Sequence, residues 1–223
     1  MEGNAVITIA VSRGRIFDEV AVLLKKAGLP VGGTCNESRK LIFEYPKYGI
    51  KILIVRPTDV PAYVEYGAAD CGVVGKDTLI EEKYDLYEPL DLGIARCKLV
   101  VAGPKGYSLD SSKVVRVATK YPRITNEHFA KKGITTEIVK LYGSVELAPL
   151  VGLSDVIVDL SATGETLVKN NLVEMETIAD ITARLVVNRI SMKIKTAEIR
   201  EFVDKLSDVR TPGNSGERGK VPA

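Results

Sequence analysis

A short run of acidic, hydroxyl and glycine residues stands between a predicted strand and a predicted helix. Residues 159–166 are DLSATGET; they directly follow the apolar run SDVIV and overlap the start of the helical pattern ETLVKNN. The first N–H groups of a helix have no partner inside the helix, so an anion placed there meets several donors and the positive end of the helix dipole. The run therefore predicts a phosphate cradle, a turn that binds a phosphate group largely through its main chain.

The residue types in this run have separate expected contributions. Gly164 would let the backbone approach the phosphate closely, and Thr163 and Thr166 would add hydroxyl donors. Asp159 could accept hydrogen bonds from a diol such as ribose. The same residue types are common in turns and at helix starts, so the run alone leaves an ordinary strand-to-helix connection open. The predicted substrate-binding residues are Asp159, Ser161, Ala162, Thr163, Gly164, Glu165 and Thr166.

Three further charged residues adjoin other predicted strands and are candidate active-site residues. Arg15 ends the motif SRGR behind the first strand, Arg56 begins RPTD, and Asp70 precedes the apolar CGVVG. Guanidinium groups match phosphate oxygens in a bidentate geometry, which suits a site for phosphorylated substrates. A solvated basic turn, a plain helix entry and a capped turn are the respective structural alternatives.

Residues for covalent or metal-based chemistry are scarce. His128, the only histidine, lies in a polar helical stretch and is expected at the surface; Cys35, Cys71 and Cys97 show no C-x-x-C spacing and predict neither a disulfide framework nor a zinc site. This inventory suits transfer of a group whose leaving part is already activated, such as a diphosphate on Mg²⁺, where positioning and charge stabilisation do most of the work.

Strand and helix patterns alternate along the chain. Alternation of this kind predicts an α/β fold with largely parallel sheets, whose ligands bind outside the carboxyl ends of the strands. Helical periodicity predicts helices at 17–28, at 58–68 with Thr58 as N-cap, and at 190–206. Apolar runs rich in Val and Ile predict strands at 5–11, 51–56, 70–75, 97–103, 114–119, 136–141, 154–160 and 183–188.

The strands fall into two groups, which predicts two lobes. Residues 1–92 plus 183–206 would form lobe I, because the last helix is expected to pack back on the first lobe, and residues 94–180 would form lobe II. Two crossings between the lobes would create an active-site cleft. Residues 207–223 combine Pro, Gly and charge without an apolar period and predict a mobile tail.

Composition excludes several classes of partner. The chain has 31 Lys and Arg against 29 Asp and Glu, a formal net charge of +2, and it shows no basic stripe with interleaved aromatics, so no nucleic acid is expected. The amino-terminal segment lacks the features of a signal peptide, and no window approaches the roughly 18 apolar residues of a membrane span. We expect a soluble, reduced, cytoplasmic protein with no membrane partner.

Four motifs, in this order and spacing, resemble the short form of the ATP phosphoribosyltransferase family, which opens histidine biosynthesis. They are SRGRIFDEV, RPTDVPAYVEYGAADCGVVGKDTLIE, DLGIARCKLVVAGP and VIVDLSATGETLVKNN, and the likeness extends from about residue 6 to residue 206. The resemblance implies two α/β lobes like those of type II periplasmic binding proteins. It also implies an enzyme that joins N1 of the adenine of ATP to C1 of phosphoribosyl pyrophosphate (PRPP). Pyrophosphate is released with Mg²⁺, which arrives bound to pyrophosphate or nucleotide rather than at a dedicated protein site.

The resemblance also implies roles for individual residues. DLSATGET would take the 5-phosphate of PRPP, with Asp159 near the ribose hydroxyls, while Arg15, Arg56 and Asp70 would meet the pyrophosphate or the ATP in the cleft. Two positions depart from the family pattern. The family often has Pro-Lys-Gly-Arg where this chain has SRGR, and usually a Ser-Thr-Gly where this chain has Ala-Thr-Gly, with the hydroxyl of Ser161 one place earlier.

Short forms of this family are similar in needing a separate regulatory subunit that resembles a histidyl-tRNA synthetase. The resemblance therefore implies homo- and hetero-oligomers, and weak or absent activity of the chain alone. Two other functions are compatible with the same architecture, because a fold does not determine a function: a bilobal small-molecule binding module, and a phosphoribosyltransferase with another acceptor.

Overall fold

The computed structural model describes residues 6–29 and 39–210, which form two compact units. Lobe I contains the described residues up to Ala95 and again from Thr182, whereas lobe II is the continuous segment Arg96–Ile181. This division falls a few residues from the boundaries expected at 92–94 and 180–183. Lobe I is thus discontinuous in sequence.

Among the described residues, eleven strands and eight helices follow one another along the chain, and no helix of this part is long and apolar enough to cross a bilayer. The strands are β1 Ile7–Ser12, β2 Ile42–Tyr45, β3 Ile50–Val55, β4 Cys71–Gly75, β5 Tyr87–Asp91, β6 Cys97–Pro104, β7 Val115–Thr119, β8 Thr136–Lys140, β9 Val156–Ser161, β10 Leu172–Ile181 and β11 Ala183–Val187. The helices are α1 Arg15–Lys26, α2 Val60–Glu65, α3 Lys76–Glu82, α4 Pro122–Ala130, α5 Leu147–Leu150, α6 Glu165–Lys169, α7 Arg189–Ile194 and α8 Thr196–Val209.

The sheet of lobe I has the strand order β2-β3-β1-β4-β11-β5. Strands β3, β1 and β4 are parallel, and β2, β11 and β5 are antiparallel to their neighbours. Because the three parallel strands end at the same edge, the turns that follow Ser12, Val55 and Gly75 share that edge. We call it the carboxyl edge of lobe I.

Helices cover both faces of this sheet because successive side chains of a strand point to opposite faces. Along β1, Ile9 and Val11 join the core beneath α1 and α8, while Ala10 between them joins a smaller cluster beneath α2. The helical side chains buried in these clusters are Phe17, Val20, Leu23 and Leu24 of α1, Val60 and Val64 of α2, and Ile199, Phe202, Val203 and Leu206 of α8.

The sheet of lobe II has the strand order β10-β6-β9-β7-β8. Strands β9, β7 and β8 are parallel, and β6 is antiparallel to both β9 and β10. Both sheets are therefore mixed, and the prediction of largely parallel sheets was wrong. In lobe I one cause is the four-residue link 46–49 between β2 and β3, which is too short for the crossover that a parallel pair requires.

All eight predicted strands are present, with ends displaced by at most two residues, but sequence reasoning missed β2, β5 and β10. In β10 the sequence LVEMETIADI interrupts the apolar run with acids. The strand lies at the edge of its sheet and exposes many of its side chains, so no continuous apolar pattern is required.

The last predicted helix is two helices, α7 and α8, interrupted at Lys195. The side chain of Asn188 caps α7 by accepting hydrogen bonds from the main-chain N–H groups of Ile190 and Ser191, at 2.8 and 2.9 Å. Helix α8 continues to Val209, so 207–209 are helical and not part of a tail, whereas 211–223 lie outside the described residues.

The start of α2 also differs from the prediction. Thr58 does not cap this helix, because it lies within a 3₁₀ turn, Pro57–Asp59, that precedes α2. The turn begins with a proline, whose fixed φ suits the first position of a helical turn.

A bidentate ion pair joins β7 and β9 at their amino ends. Arg116 Nη2 donates to Asp155 Oδ1 at 2.7 Å, and the main-chain N–H of Arg116 donates to Oδ2 of the same carboxylate at 2.8 Å. These bonds, the side-chain bond first, lower the pKa of Asp155 below its ordinary value. A carboxyl whose pKa is lower in the folded than in the unfolded state stabilises the fold above its unfolded pKa, and that contribution disappears as the pH falls through the folded pKa.

Replacing Asp155 with asparagine is accordingly expected to lower the thermal unfolding midpoint by a few degrees at pH 7. The difference from the wild type should shrink towards zero as the pH falls through the lowered pKa of Asp155 in the folded protein, where the wild-type carboxyl itself takes up a proton. The measurement is a pair of thermal melts across this pH range, with Asp180→Asn, an exposed carboxyl of β10, as control. A midpoint difference that is independent of pH would contradict the assignment.

Candidate active site

The cradle predicted from DLSATGET lies where β9 ends and α6 begins. Gly164 occupies the N-cap position with φ 77°, a left-handed conformation that glycine adopts without the steric cost of a Cβ. A cavity of about 220 Å³ opens at this turn. Its lining residues are Val100, Glu146, Asp159, Leu160, Ser161, Ala162, Thr163, Gly164, Glu165, Thr166 and Leu167. The structure therefore brings all seven predicted substrate-binding residues together around one cavity.

Local hydrogen bonds shape the cradle. Thr163 Oγ1 accepts a hydrogen bond from the main-chain N–H of Glu165 at 3.4 Å, and Asp159 Oδ1 accepts one from the N–H of Leu160 at 2.8 Å. Ser161, the last residue of β9, is buried, whereas Ala162 and Thr163 are exposed. Ser161 lines the cavity from the end of the strand, one residue before the turn itself.

The charged side chains that line the cavity are all acidic. They are Glu146, Asp159 and Glu165, and no Lys or Arg lines it among the residues that the structure describes. A phosphate bound here would be met by main-chain N–H groups and hydroxyls, while carboxylates suit the hydroxyl groups of a sugar. The arrangement fits a phosphorylated sugar better than a polyphosphate.

Glu146 is a lining residue that sequence reasoning missed. It precedes α5, in the loop that follows β8, and β8, β7 and β9 are parallel neighbours. Its position after β8 could have indicated a place at the site, since carboxyl ends of parallel strands share one edge. That inference requires knowing that β8 and β9 belong to the same group of parallel strands, which the sequence does not give.

Arg15 and Arg56 lie together at the carboxyl edge of lobe I. Arg15 begins α1 just after β1, Arg56 follows β3 directly, and the ends of these strands, Ser12 and Val55, are paired. Arg15 Nη2 donates to the main-chain oxygen of Ala95 at 3.1 Å, yet its side chain is half exposed. The two guanidinium groups are therefore accessible to an anion at this edge.

Asp70 lies elsewhere, and the predicted catalytic role does not agree with its position. It precedes β4 at the amino edge of the sheet, level with Thr8, whose main-chain N–H donates to Asp70 Oδ2 at 2.8 Å. Lys195 Nζ donates to the same oxygen at 2.8 Å, and Ser191 Oγ donates to Oδ1 at 2.7 Å. The side chain is only 9 % exposed. Asp70 is a buried brace that joins β1 to α7 and to the start of α8.

His128 is not the surface residue that its polar neighbours predicted. Its Nε2 lies 2.9 Å from Glu176 Oε2 on β10, and Lys132 Nζ contacts the other oxygen of that carboxylate. The His128 side chain is 18 % exposed. Hydrogen bonds from Lys132 and His128 outweigh the opposing effect of burial and lower the pKa of Glu176. The contact between His128 and Glu176 links α4 to β10 and lies outside the cradle.

The carboxylates of the described residues are too dispersed to form a metal site. No group of three or more His, Cys, Asp or Glu side chains that could hold a metal ion occurs in this part of the chain. Asp159, Glu146 and Glu165 line the cavity but form no metal-binding cluster of their own. A Mg²⁺ ion at this cavity would therefore need phosphate oxygens and water for most of its ligands.

Two α/β lobes, one of which carries a cavity lined by hydroxyl and carboxylate groups at a strand-to-helix turn, place the chain among bilobal α/β proteins. Residues 56–208 match the family model described as HisG, ATP phosphoribosyltransferase. ATP phosphoribosyltransferase 2 of Geobacter sulfurreducens is 54% identical over 204 residues, which cover 90% of this chain and 96% of that relative. The chain belongs to the ATP phosphoribosyltransferase family, as its four motifs predicted.

Other relatives also match over nearly the full length of both chains. The ATP phosphoribosyltransferase of Methylococcus capsulatus is 50% identical over 213 residues, covering 95% of this chain and 100% of that relative. The solved ATP phosphoribosyl transferase (HisG:HisZ) complex from Thermotoga maritima contains a chain that matches with a TM-score of 0.79 and 37% identity, covering 92% of this chain and 98% of that one. The predicted fold class, two α/β lobes resembling type II periplasmic binding proteins, is confirmed.

Proposed function

We propose that this chain transfers the phosphoribosyl group of PRPP to N1 of ATP, giving phosphoribosyl-ATP and pyrophosphate in the first step of histidine biosynthesis. The observation that carries the proposal is the match over nearly the full length of relatives named ATP phosphoribosyltransferase, at 54% identity over 204 residues. The phosphate cradle at the end of β9 supports the same substrate class.

In this proposal the cradle binds the ribose phosphate of PRPP. The 5-phosphate accepts hydrogen bonds from main-chain N–H groups between Thr163 and Leu167 and from the hydroxyls of Thr163 and Thr166. The carboxylates of Asp159 and Glu146 accept hydrogen bonds from the ribose hydroxyls. Holding the sugar at both ends sets the direction in which C1 is presented, and such positioning lowers a barrier without any covalent participation by the protein.

Arg15 and Arg56 meet the negative charge of the polyphosphates. As N1 of adenine forms its bond to C1, the bond from C1 to the pyrophosphate oxygen breaks and the electron pair leaves with pyrophosphate. Two accessible guanidinium groups at one sheet edge suit stabilisation of that charge. Asp70 has no part in this step, because its carboxylate is occupied at the opposite edge.

Mg²⁺ is proposed to enter with the pyrophosphate or the nucleotide. It would neutralise charge on the phosphate oxygens, and those oxygens together with water would be its ligands, without a dedicated protein site.

A regulatory partner is proposed from the Thermotoga maritima structure, which is a HisG:HisZ complex. We propose that this chain likewise forms homo- and hetero-oligomers with a subunit resembling a histidyl-tRNA synthetase, and that its activity alone is weak or absent. The cytoplasm, where ATP and PRPP occur together, is the proposed location.

The experiment is mass-detected product formation from ATP, PRPP and Mg²⁺, with pyrophosphatase to pull the equilibrium, in the presence and absence of the candidate regulatory subunit. Phosphoribosyl-ATP that appears strongly only with the partner is the expected result. Robust histidine-sensitive turnover by the chain alone would contradict the need for a partner. Absence of product with a partner shown to bind would leave a ligand-binding module or a transferase with another acceptor.

A further inference from the structure

A buried hydroxyl lies beside the end of β9, just before the cradle begins. Thr119 is the last residue of β7, its side chain is inaccessible to solvent, and it is paired with Val158 of β9. After Thr119 the chain of β7 leaves the sheet and enters α4 at Pro122, while β9 continues to Ser161. The main-chain ladder between the two strands therefore ends one residue before Asp159.

The Thr119 hydroxyl extends that ladder. Thr119 Oγ1 donates to the main-chain oxygen of Val158 at 2.7 Å and accepts a hydrogen bond from the main-chain N–H of Tyr121 at 2.9 Å. A hydroxyl has one proton to donate, so these two bonds use its donor and one of its acceptor sites. The side chain thereby connects the exit of β9 to the turn that begins α4.

The main chain of the same residue holds the other loop that lines the cavity. The main-chain oxygen of Thr119 accepts a hydrogen bond from the N–H of Leu141 at 3.0 Å, directly after β8. The loop that follows leads to Glu146, which lines the cavity beside Asp159. Thr119 is thus bonded to the exits of both strands that supply carboxylates to the site, although it does not line the cavity itself.

We infer that Thr119 is a positioning residue for the PRPP site, acting through the Val158 carbonyl on the placement of Asp159 and the cradle. The inference rests on the proposed function, since it concerns binding of PRPP at that cavity. Replacing the hydroxyl with a methyl of similar volume would leave the Val158 carbonyl and the Tyr121 N–H unpaired in a dry environment, and the strand exit would shift to recover partners. A small misplacement of groups that hold a substrate has large kinetic consequences.

The test compares Thr119→Val with Thr119→Ser and Thr125→Val in the active complex. Thr125 is equally inaccessible and belongs to the same buried network. Its Oγ1 donates to the main-chain oxygen of Tyr121 at 2.7 Å and lies 3.5 Å from Thr119 Oγ1, but it makes no bond to β9. Thr119→Val is expected to raise the KM for PRPP about tenfold while the KM for ATP stays within twofold. Thr119→Ser, which keeps the hydroxyl, should have a KM for PRPP within twofold of the wild type. Thr125→Val should lower the unfolding midpoint but leave the KM for PRPP unchanged.

Binding of PRPP with Mg²⁺, measured by calorimetry, separates the possible failures. If the wild type binds PRPP and Thr119→Val binds it equally well, the inference is wrong and the proposed function stands. If Thr125→Val weakens binding as much as Thr119→Val, the effect is general destabilisation and the inference is also wrong. If the wild type does not bind PRPP, both the proposed function and the inference about Thr119 are wrong. Should Thr119→Val fail to fold, Thr119→Cys, whose thiol is a weaker donor, replaces it with a smaller expected loss of PRPP affinity.

Discussion

Replacing Asp159 with asparagine is expected to raise the dissociation constant for PRPP by about 10- to 100-fold, the range for loss of hydrogen bonds to a charged acceptor. The carboxylate lines the cavity at the end of β9, half exposed, where ribose hydroxyls would donate to it. Asparagine keeps the oxygen that accepts the hydrogen bond from Leu160, so the unfolding midpoint should stay near the wild-type value. Calorimetric titration with PRPP and Mg²⁺ is the measurement.

Thr163→Val tests the cradle itself and should weaken PRPP binding by about tenfold or more, as expected for one hydrogen bond to a charged phosphate. Matched controls are Asp180→Asn and Thr177→Val, two exposed residues of β10 in the same lobe, which should leave the affinity unchanged. Unaltered PRPP affinity in both the Asp159 and the Thr163 variant would return this turn to an ordinary strand-to-helix connection.

Replacing Asp70 with alanine is expected to destabilise the fold by about 2 to 3 kcal/mol, since a buried carboxylate that accepts three hydrogen bonds is removed, although the Lys195 side chain is itself 26 % exposed. The variant would leave Lys195 Nζ, Ser191 Oγ and the main-chain N–H of Thr8 without the carboxylate that now accepts from each of them. Urea unfolding followed by circular dichroism measures the loss.

Two comparisons separate this structural role from a catalytic one. Asp204→Ala removes an exposed carboxylate of α8 and should change the stability by less than about 0.5 kcal/mol. Asp70→Asn keeps one acceptor oxygen and nearly the same side-chain volume. It should therefore be destabilised less than Asp70→Ala, and its folded fraction should retain most of the wild-type turnover. A folded, fully stable Asp70→Asn complex that had lost its turnover would restore the catalytic role predicted from the motif.

Local patterns in the sequence were sufficient for much of the fold and for the strand-to-helix turn at DLSATGET. Eight strands were found because buried strands need continuous apolar runs, and the turn because it depends on residues that are neighbours in the chain. The strands β2, β5 and β10 were missed because an edge strand needs only part of its surface to be apolar. The antiparallel strand pairs were missed because strand direction depends on which strands become neighbours in the sheet. The hydrophobic periodicity of a sequence carries no information about strand order.

The contrast between Arg15 and Asp70 shows the same limit at the level of single residues. Arg15 and Arg56 each follow a strand, so the rule for carboxyl ends placed them correctly at one edge. Asp70 precedes its strand, and its partners Thr8, Ser191 and Lys195 are 62, 121 and 125 residues away along the chain. Its motif indicated importance, and only the packing showed that the importance is structural.

The amino-acid sequence by itself thus determined the family, the apolar strands and the turn between β9 and α6, all of which depend on neighbours in the chain. The tertiary structure alone decided that Asp70 is a brace, that Glu146 faces the cradle and that the Thr119 hydroxyl holds the exit of β9. The physical reason is that a polar side chain takes its role from its hydrogen-bond partners. For these three residues, folding brings the partners or the facing residues together from distant parts of the chain.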